Sequence, residues 1–247
     1  MSLRICVLVP VGVDTFNQPI LESIRPVIPS DVEVEVRNLP RGTSHIQDRI
    51  DWLANGLAVV ETALQLEREG FDGIWLSDFD MCGVEAAREA VNIPIVGGFP
   101  TAAFSALLLS QRFSIVTVLQ STLAMQHGHV QAYGLQDSFS SIRAIDCPVD
   151  QLSNMDVVVP KVYECALEAV RRDGAQSILL GCTGFVGVAR RVEQLLEAML
   201  GCYVPVIDPN QAGFSLLLSL VRMRVRPSRL CYGKESLPAI TSLSRQA

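Results

Sequence analysis

Short, almost wholly apolar runs alternate along the chain with longer segments in which apolar residues recur every three or four positions. That alternation is the mark of strands buried on both faces by crossover helices. The runs predict strands at 4–9, 32–37, 73–77, 95–96, 113–118, 177–181 and 204–207, most of them parallel. Helical stretches are expected at 56–69, 100–110 and 160–172. In the last of these Pro160 suits a first helical position. Val162, Ala166, Leu167 and Val170 form one apolar stripe, and Asp173-Gly174 ends it. Cys165 then belongs to ordinary packing.

The pattern occurs twice. Sliding the chain by 104 residues lays Gly70 on Gly174 and Gly73-Ile74-Trp75-Leu76-Ser77-Asp78 on Ser177-Ile178-Leu179-Leu180-Gly181-Cys182. The following Gly83-Val84 then falls on Gly187-Val188. At slightly different offsets 4–9 matches 112–117, and Pro94-Ile95-Val96 matches Pro205-Val206-Ile207. Three matches in one order imply a duplicated α/β unit. The expected fold is α/β, with two pseudo-symmetric lobes of parallel sheets flanked by helices and a site in the cleft between them, at the carboxyl ends of the strands. The first lobe is expected to comprise residues 1–97 plus 208–247, and the second residues 98–207.

Composition narrows the function classes. The chain has 247 residues, 49% of them hydrophobic, which is enough for a substantial core, and its net charge is −6. Only two of its 20 basic residues are lysines, Lys161 and Lys234, and no basic run could follow a phosphate backbone, so no nucleic-acid partner is expected. No apolar stretch approaches the ~20 residues of a membrane span, and no leader pattern precedes the first strand, which points to the cytoplasm. The seven cysteines and three histidines show no metal-ligand spacing. The glycines lack the dinucleotide-binding spacing, and no carboxylate cluster suggests a metal, so no cofactor is expected. His127 and His129 share one expected helix at i and i+2, on different faces, which fits surface or core roles.

The duplication sets Asp78 opposite Cys182, each where a strand ends and a loop leads to a helix. Two such groups could flank one small substrate. Cys182 lies in Gly181-Cys182-Thr183-Gly184, with small neighbours and with N–H groups expected at a helix start, an arrangement that would favour thiolate and draw the pKa down from about 8.5. A small buried hydrophobe is the other reading of this cysteine. Thr183, Gly184 and Thr117 at strand ends, Thr43 and Ser44 in a glycine-containing loop, and Pro10 and Val11 in the opening loop are candidates for substrate contact. Hydroxyls at such places also cap helices and turns. Phe79 and Phe185 could form apolar walls or belong to the core.

These residues carry a resemblance. Leu180-Gly181-Cys182-Thr183-Gly184-Phe185 resembles the second cysteine motif of the aspartate/glutamate racemase superfamily, and Val206-Ile207-Asp208-Pro209 resembles the segment that follows it in hydantoin racemases. Arg41-Gly42-Thr43-Ser44-His45-Ile46, the stretch 83–89 and the strand 112–117 are similar to further hydantoin racemase segments. The resemblance spans roughly residues 4 to 210. It implies a cofactor-independent racemase or epimerase of a small hydantoin-like or amino-acid-derived compound, acting at a carbon next to a carbonyl, and a homo-oligomer.

Two departures stand out. Asp78 occupies the place of the family's first cysteine, and Val9-Pro10-Val11-Gly12-Val13 replaces an Asn-Pro-Asn-Thr type loop that would read the substrate. Asp78 could be the opposite-face acid or base. It could instead cap the next helix, or leave Cys182 as the single proton donor of a lyase that decarboxylates a substituted malonate, for which the arylmalonate decarboxylases of the superfamily are a precedent. Cys82, one helical turn beyond Asp78, is a candidate substitute thiol. A non-catalytic small-molecule binder would keep the cleft without a reactive thiol.

Overall fold

The computed structural model describes residues 2–233. Its first half runs β1 (Leu3–Val9), α1 (Asn17–Ile24), β2 (Val32–Asn38), α2 (Arg49–Arg68), β3 (Gly73–Leu76), α3 (Val84–Ala90) and β4 (Ile95–Val96). After α4 (Gly98–Leu107), the second half runs β5 (Phe113–Thr117), α5 (Gln120–Ala132), β6 (Phe139–Ala144), α6 (Met155–Asp173), β7 (Ser177–Leu180), α7 (Val188–Leu200) and β8 (Val206–Ile207), followed by α8 (Pro209–Arg222). The strands make two four-stranded sheets of orders β2-β1-β3-β4 and β6-β5-β7-β8. Every pairing is parallel. The inner strands β3, β5 and β7 are buried throughout and mostly apolar because helices cover both of their faces.

The duplication reaches down to single hydrogen bonds. Asp72 N–H donates to Arg4 O at 2.8 Å, and Gln176 N–H donates to Arg112 O at 2.9 Å. Ile74 N–H donates to Pro94 O at 2.9 Å, and Ile178 N–H donates to Pro205 O at the same distance. Gly83 and Gly187 precede α3 and α7 at φ of +71° and +73°, a left-handed backbone in which only glycine avoids a Cβ clash. At Gly83 an added Cβ would also meet Gly56 O at 2.4 Å.

One buried cluster joins the halves, with Leu8, Ile74 and Leu76 from the first sheet, Ile115 and Leu179 from the second, and Phe99, Ala102 and Ala106 of α4 between them. α8 packs on β3, α1 and α4. It approaches so closely that a Cβ on Gly213 would lie 2.2 Å from the Trp75 ring.

The structure differs from the sequence expectation in three places. β6 was not expected, because it is an edge strand of partly exposed residues and carries no apolar run. α2 begins seven residues earlier than expected, where the Asp48 carboxylate accepts from Ile50 N–H and Asp51 N–H at 2.8 and 2.9 Å. Pro160 lies inside α6 rather than at its first position, so it offers no N–H to the carbonyl four residues back. The part of the expected first lobe beyond residue 233 lies outside the described residues. Among the described residues no helix is long and apolar enough to cross a membrane.

The Trp75–Gly213 contact yields a test. Gly213→Ala should lower the unfolding free energy by about 2–3 kcal/mol in urea denaturation, the penalty of overpacking a filled core. Unchanged stability would contradict this packing.

Candidate functional site

Asp78 and Cys182 each stand two residues beyond the last residue of an inner strand, β3 and β7. The final ladder bonds, Ser77 N–H to Leu8 O at 2.9 Å and Gly181 N–H to Val116 O at 2.7 Å, fix both departures. The next turn is also repeated. Asp80 N–H donates to Asp78 Oδ1 at 3.2 Å, and at the equivalent position Gly184 N–H meets Cys182 Sγ at 3.3 Å. Asp78 takes one more bond, from Cys82 N–H to Oδ2 at 2.7 Å.

A ring of side chains ties the two strand ends together. Thr183 Oγ1 donates to Ser77 O at 3.0 Å, Asn210 Nδ2 donates to Thr183 O at 2.8 Å, and Ser77 Oγ donates to Asn210 Oδ1 at 3.0 Å. Asn210 is fully buried, and Asp208, whose carboxylate accepts from Asn210 N–H at 2.8 Å, starts the helix that carries it. A second clamp holds the opening loop. The carboxamide of buried Asn55 donates to Pro10 O at 3.0 Å and Thr43 Oγ1 at 2.8 Å, and accepts from Thr43 N–H at 2.9 Å.

These clamps surround a cavity of about 60 Å³ lined by Asp78, Cys182, Ser77, Thr183 and Gly184, by Val9, Pro10 and Val11 at the end of β1, and by Phe16, Ile20, His45, Ile46 and Val149. It adjoins an outer hollow of about 640 Å³ that shares Phe16, Ile20, His45, Val149 and Gly184. Of the residues singled out in the sequence, Cys182, Asp78, Thr183, Gly184, Pro10 and Val11 meet at this cavity, and Ser44 lines the outer hollow.

The others stand elsewhere. Phe79 is in the central core, edge-on to Phe99 at 5.8 Å, and Phe185 is in the core of the second half. Thr117 is fully buried, and its Oγ1 lies 3.0 Å from Thr122 Oγ1. Thr43 is held by Asn55. Cys82 is fully buried; its backbone N–H donates to Asp78, and its thiol, pushed up by burial and then by the Asp78 carboxylate, keeps its proton. The sequence reading missed Asn55, Asn210 and Gln126. Nothing in their spacing marks them, and only Asn210, directly after the family-like stretch 206–209, lay beside a readable signal.

Electrostatics separates the two principal groups. Burial, and then the neighbouring Asp80 carboxylate, push the Asp78 pKa up to about 6, against the backbone donors of Cys82 and Asp80 and the positive influence of His129. Burial likewise pushes Cys182 up to about 12; the Gly184 N–H lowers it, and Asp78 and Asp80 raise it. The thiolate expected from a helix start is therefore corrected. α7 begins six residues beyond Cys182, so a single N–H reaches the sulfur, and two carboxylates oppose ionisation. At neutral pH the site holds an ionised carboxylate and an intact thiol. Among the described residues no group of three or more His, Cys, Asp or Glu could hold a metal ion.

The family model described as Asp/Glu/Hydantoin racemase matches residues 5–217. The hydantoin racemase of Paenarthrobacter aurescens is 28% identical over 229 residues, covering 92% of this chain and 94% of that one. The solved allantoin racemase from Klebsiella pneumoniae superposes with a TM-score of 0.86 at 29% identity, covering 94% and 92% of the two chains. Arylmalonate decarboxylase, at 20% identity and a TM-score of 0.59 over 88% of this chain and 92% of its own, shares the fold alone.

The raised Asp78 pKa links the site to stability. A carboxyl whose folded pKa lies above its unfolded value stabilises the fold below the unfolded pKa and loses that advantage as pH rises through the folded value. Here the loss falls between about 4 and 6 and amounts to roughly 3 kcal/mol at pH 8. Asp78→Asn removes that penalty but gives up about 1 kcal/mol of hydrogen bonding from Cys82 N–H. The variant should therefore be about 1–2 kcal/mol more stable than the parent at pH 8, with the gain gone at pH 4. Equal stability at both pH values would contradict the burial of this charge.

Proposed function

The chain belongs to the Asp/Glu/hydantoin racemase family and is an isomerase of the racemase kind, and on that premise we propose that it inverts a carbon next to a carbonyl in a small, uncharged, hydantoin-like ring. Asp78 removes the proton from one face, and Cys182 delivers one to the other. The cleft between the halves is the active site, and no cofactor takes part.

The observation that carries this reading is the charge of the cavity. Among the described residues its lining has two acids, one imidazole and an apolar wall, and no Lys or Arg. With a neutral substrate the site holds one negative charge at every stage, first on Asp78, then on the enolate, then on the Cys182 sulfur. An ionised substrate would add a second. Two like charges 4 Å apart repel by about 4 kcal/mol at an effective dielectric constant of 20, equivalent to roughly a thousandfold in rate. Free amino acids and malonates each bring a carboxylate that no cation among the described lining residues would offset.

The protonation states assign the roles. Above about pH 6 Asp78 is ready to accept a proton, while Cys182 keeps its own up to about 12. A carboxylate is a weak base, so the substrate must bring an acidified carbon–hydrogen bond, as a carbon beside a ring carbonyl does. When Asp78 has taken the substrate proton and Cys182 has given up its own, exchange with solvent returns both groups to their starting forms. Decarboxylation of a malonate with Cys182 as single acid is disfavoured by the same charge count.

The test is polarimetry and proton NMR in deuterium oxide on enantiopure 5-substituted hydantoins, amino acids and arylmalonates. The hydantoins should racemise with loss of the C5 proton signal, and Asp78→Asn and Cys182→Ala should each lower kcat by about 10²–10⁴. kcat/KM should rise with pH through about 6 and show no rise near pH 8.5. Faster turnover of an arylmalonate, undiminished in Asp78→Asn, would overturn the proposal.

A further inference from the structure

Behind Asp78 lies a second acid that the proposed reaction does not use. Asp80 is buried, with 6% of its surface exposed, and each of its carboxylate oxygens faces α5 of the other half. Oδ1 lies 3.1 Å from His129 Nε2, and Oδ2 accepts from Gln126 Nε2 at 3.3 Å. Its carbonyl accepts from Trp52 Nε1 of α2 at 2.8 Å. A buried carboxylate with this many partners is held to a definite place.

Gln126 makes the arrangement more than a local salt link. The same Nε2 lies 3.0 Å from Gly181 O and 3.0 Å from Thr117 Oγ1. Three acceptors thus converge on a nitrogen with two hydrogens, while its own Oε1 is buried with no partner among the described residues. One side chain therefore joins the residue two beyond Asp78 to the residue one before Cys182. Gly181 leaves the room for it, since a Cβ there would lie 3.1 Å from Gln126 Oε1 and 2.8 Å from Ile115 Cγ2.

We propose that Asp80, clamped by His129 and Gln126, is a positioning residue: it locks the Asp78 loop to the Cys182 loop and supplies the fixed negative charge against which Asp78 works. The proposal rests on the reading of Asp78 as the base. The titratable groups that face Asp78 are Asp80 and Cys82 in its own loop, Cys182 at the end of β7, His129 on α5, and His45 across the cavity. Asp80 favours the protonated form of Asp78, and His129 opposes it. The two partners therefore push the base in opposite directions.

That opposition gives the experiment. kcat/KM for racemisation of the best hydantoin substrate is measured from pH 4.5 to 9, a range set around about pH 6 for Asp78, in the parent enzyme, Asp80→Asn and His129→Gln, with thermal unfolding as a check of folding. Asp80→Asn should move the acid limb to lower pH by about half a unit to one unit and lower the plateau, and His129→Gln should move the limb to higher pH by a similar amount. A purely structural pair would lower the plateau and leave the limb in place. Limbs unmoved in both folded variants, or moved the same way, would overturn the proposal. A parent enzyme that turns over no hydantoin would instead overturn the function reading on which it rests.

Discussion

The hydrogen bond from Thr183 Oγ1 to Ser77 O, closed into a ring by Asn210, joins the ends of two parallel strands that belong to different sheets. Everything else in the site depends on that join. Each sheet by itself can present one side chain at a strand end, because parallel strands all point their carboxyl ends the same way. Facing two such ends across a space the width of a small molecule requires the sheets to approach head-on, and that buries the polar groups of both turns. Asn210 supplies a donor and an acceptor at once, so a single residue satisfies both sides. α8, which carries Asn210, is in turn seated by the absence of a side chain at Gly213 over Trp75.

Duplication explains why the two strand-end groups receive equivalent support but differ in acidity. In both turns an N–H two residues on points back at the acidic atom. The halves diverge at the residue that follows the strand, a carboxylate in one and a thiol in the other, and in what lies behind it. Asp80 stands where the second half has Gly184, which places an extra negative charge behind Asp78 and none of its own behind Cys182. Burial raises both pKa values, yet the two groups remain far apart, at about 6 and about 12. The difference in acidity therefore comes from residue identity, while the fold supplies the geometry.

Much of this was legible in the sequence, for identifiable reasons. The inner strands read clearly because burial on both faces makes them mostly apolar, and the repeat read clearly because both halves kept the same glycine before their last helix. The edge strand β6 did not, since Phe139-Ser140-Ser141-Ile142-Arg143-Ala144 is half solvated and has no apolar run; only the repeat, which demands a partner for β2, could have marked it. Asp78 and Cys182 could be paired from the alignment of the halves. Their surroundings could not. Asn55, Gln126 and Asn210 act through contacts 9 to 133 residues away in sequence, and carboxamides look the same on a surface as in a buried clamp. Phe79 and Phe185 were ambiguous because a phenylalanine next to a catalytic-looking residue fits a pocket wall or a core equally well; the ring contact of Phe79 with Phe99 and the burial of Phe185 in the second half's cluster put both in the core.

The central claim is that two groups, one from each half, act on opposite faces of one carbon. The most direct measurement follows deuterium separately in substrate and product early in the reaction of a single enantiomer in deuterium oxide. Proton removal by Asp78 and delivery by Cys182 predicts product that is fully deuterated while the remaining substrate keeps its hydrogen. Deuterium appearing in the unreacted enantiomer as fast as in the product, or product retaining the substrate hydrogen, would mean that one group serves both faces and would contradict the account.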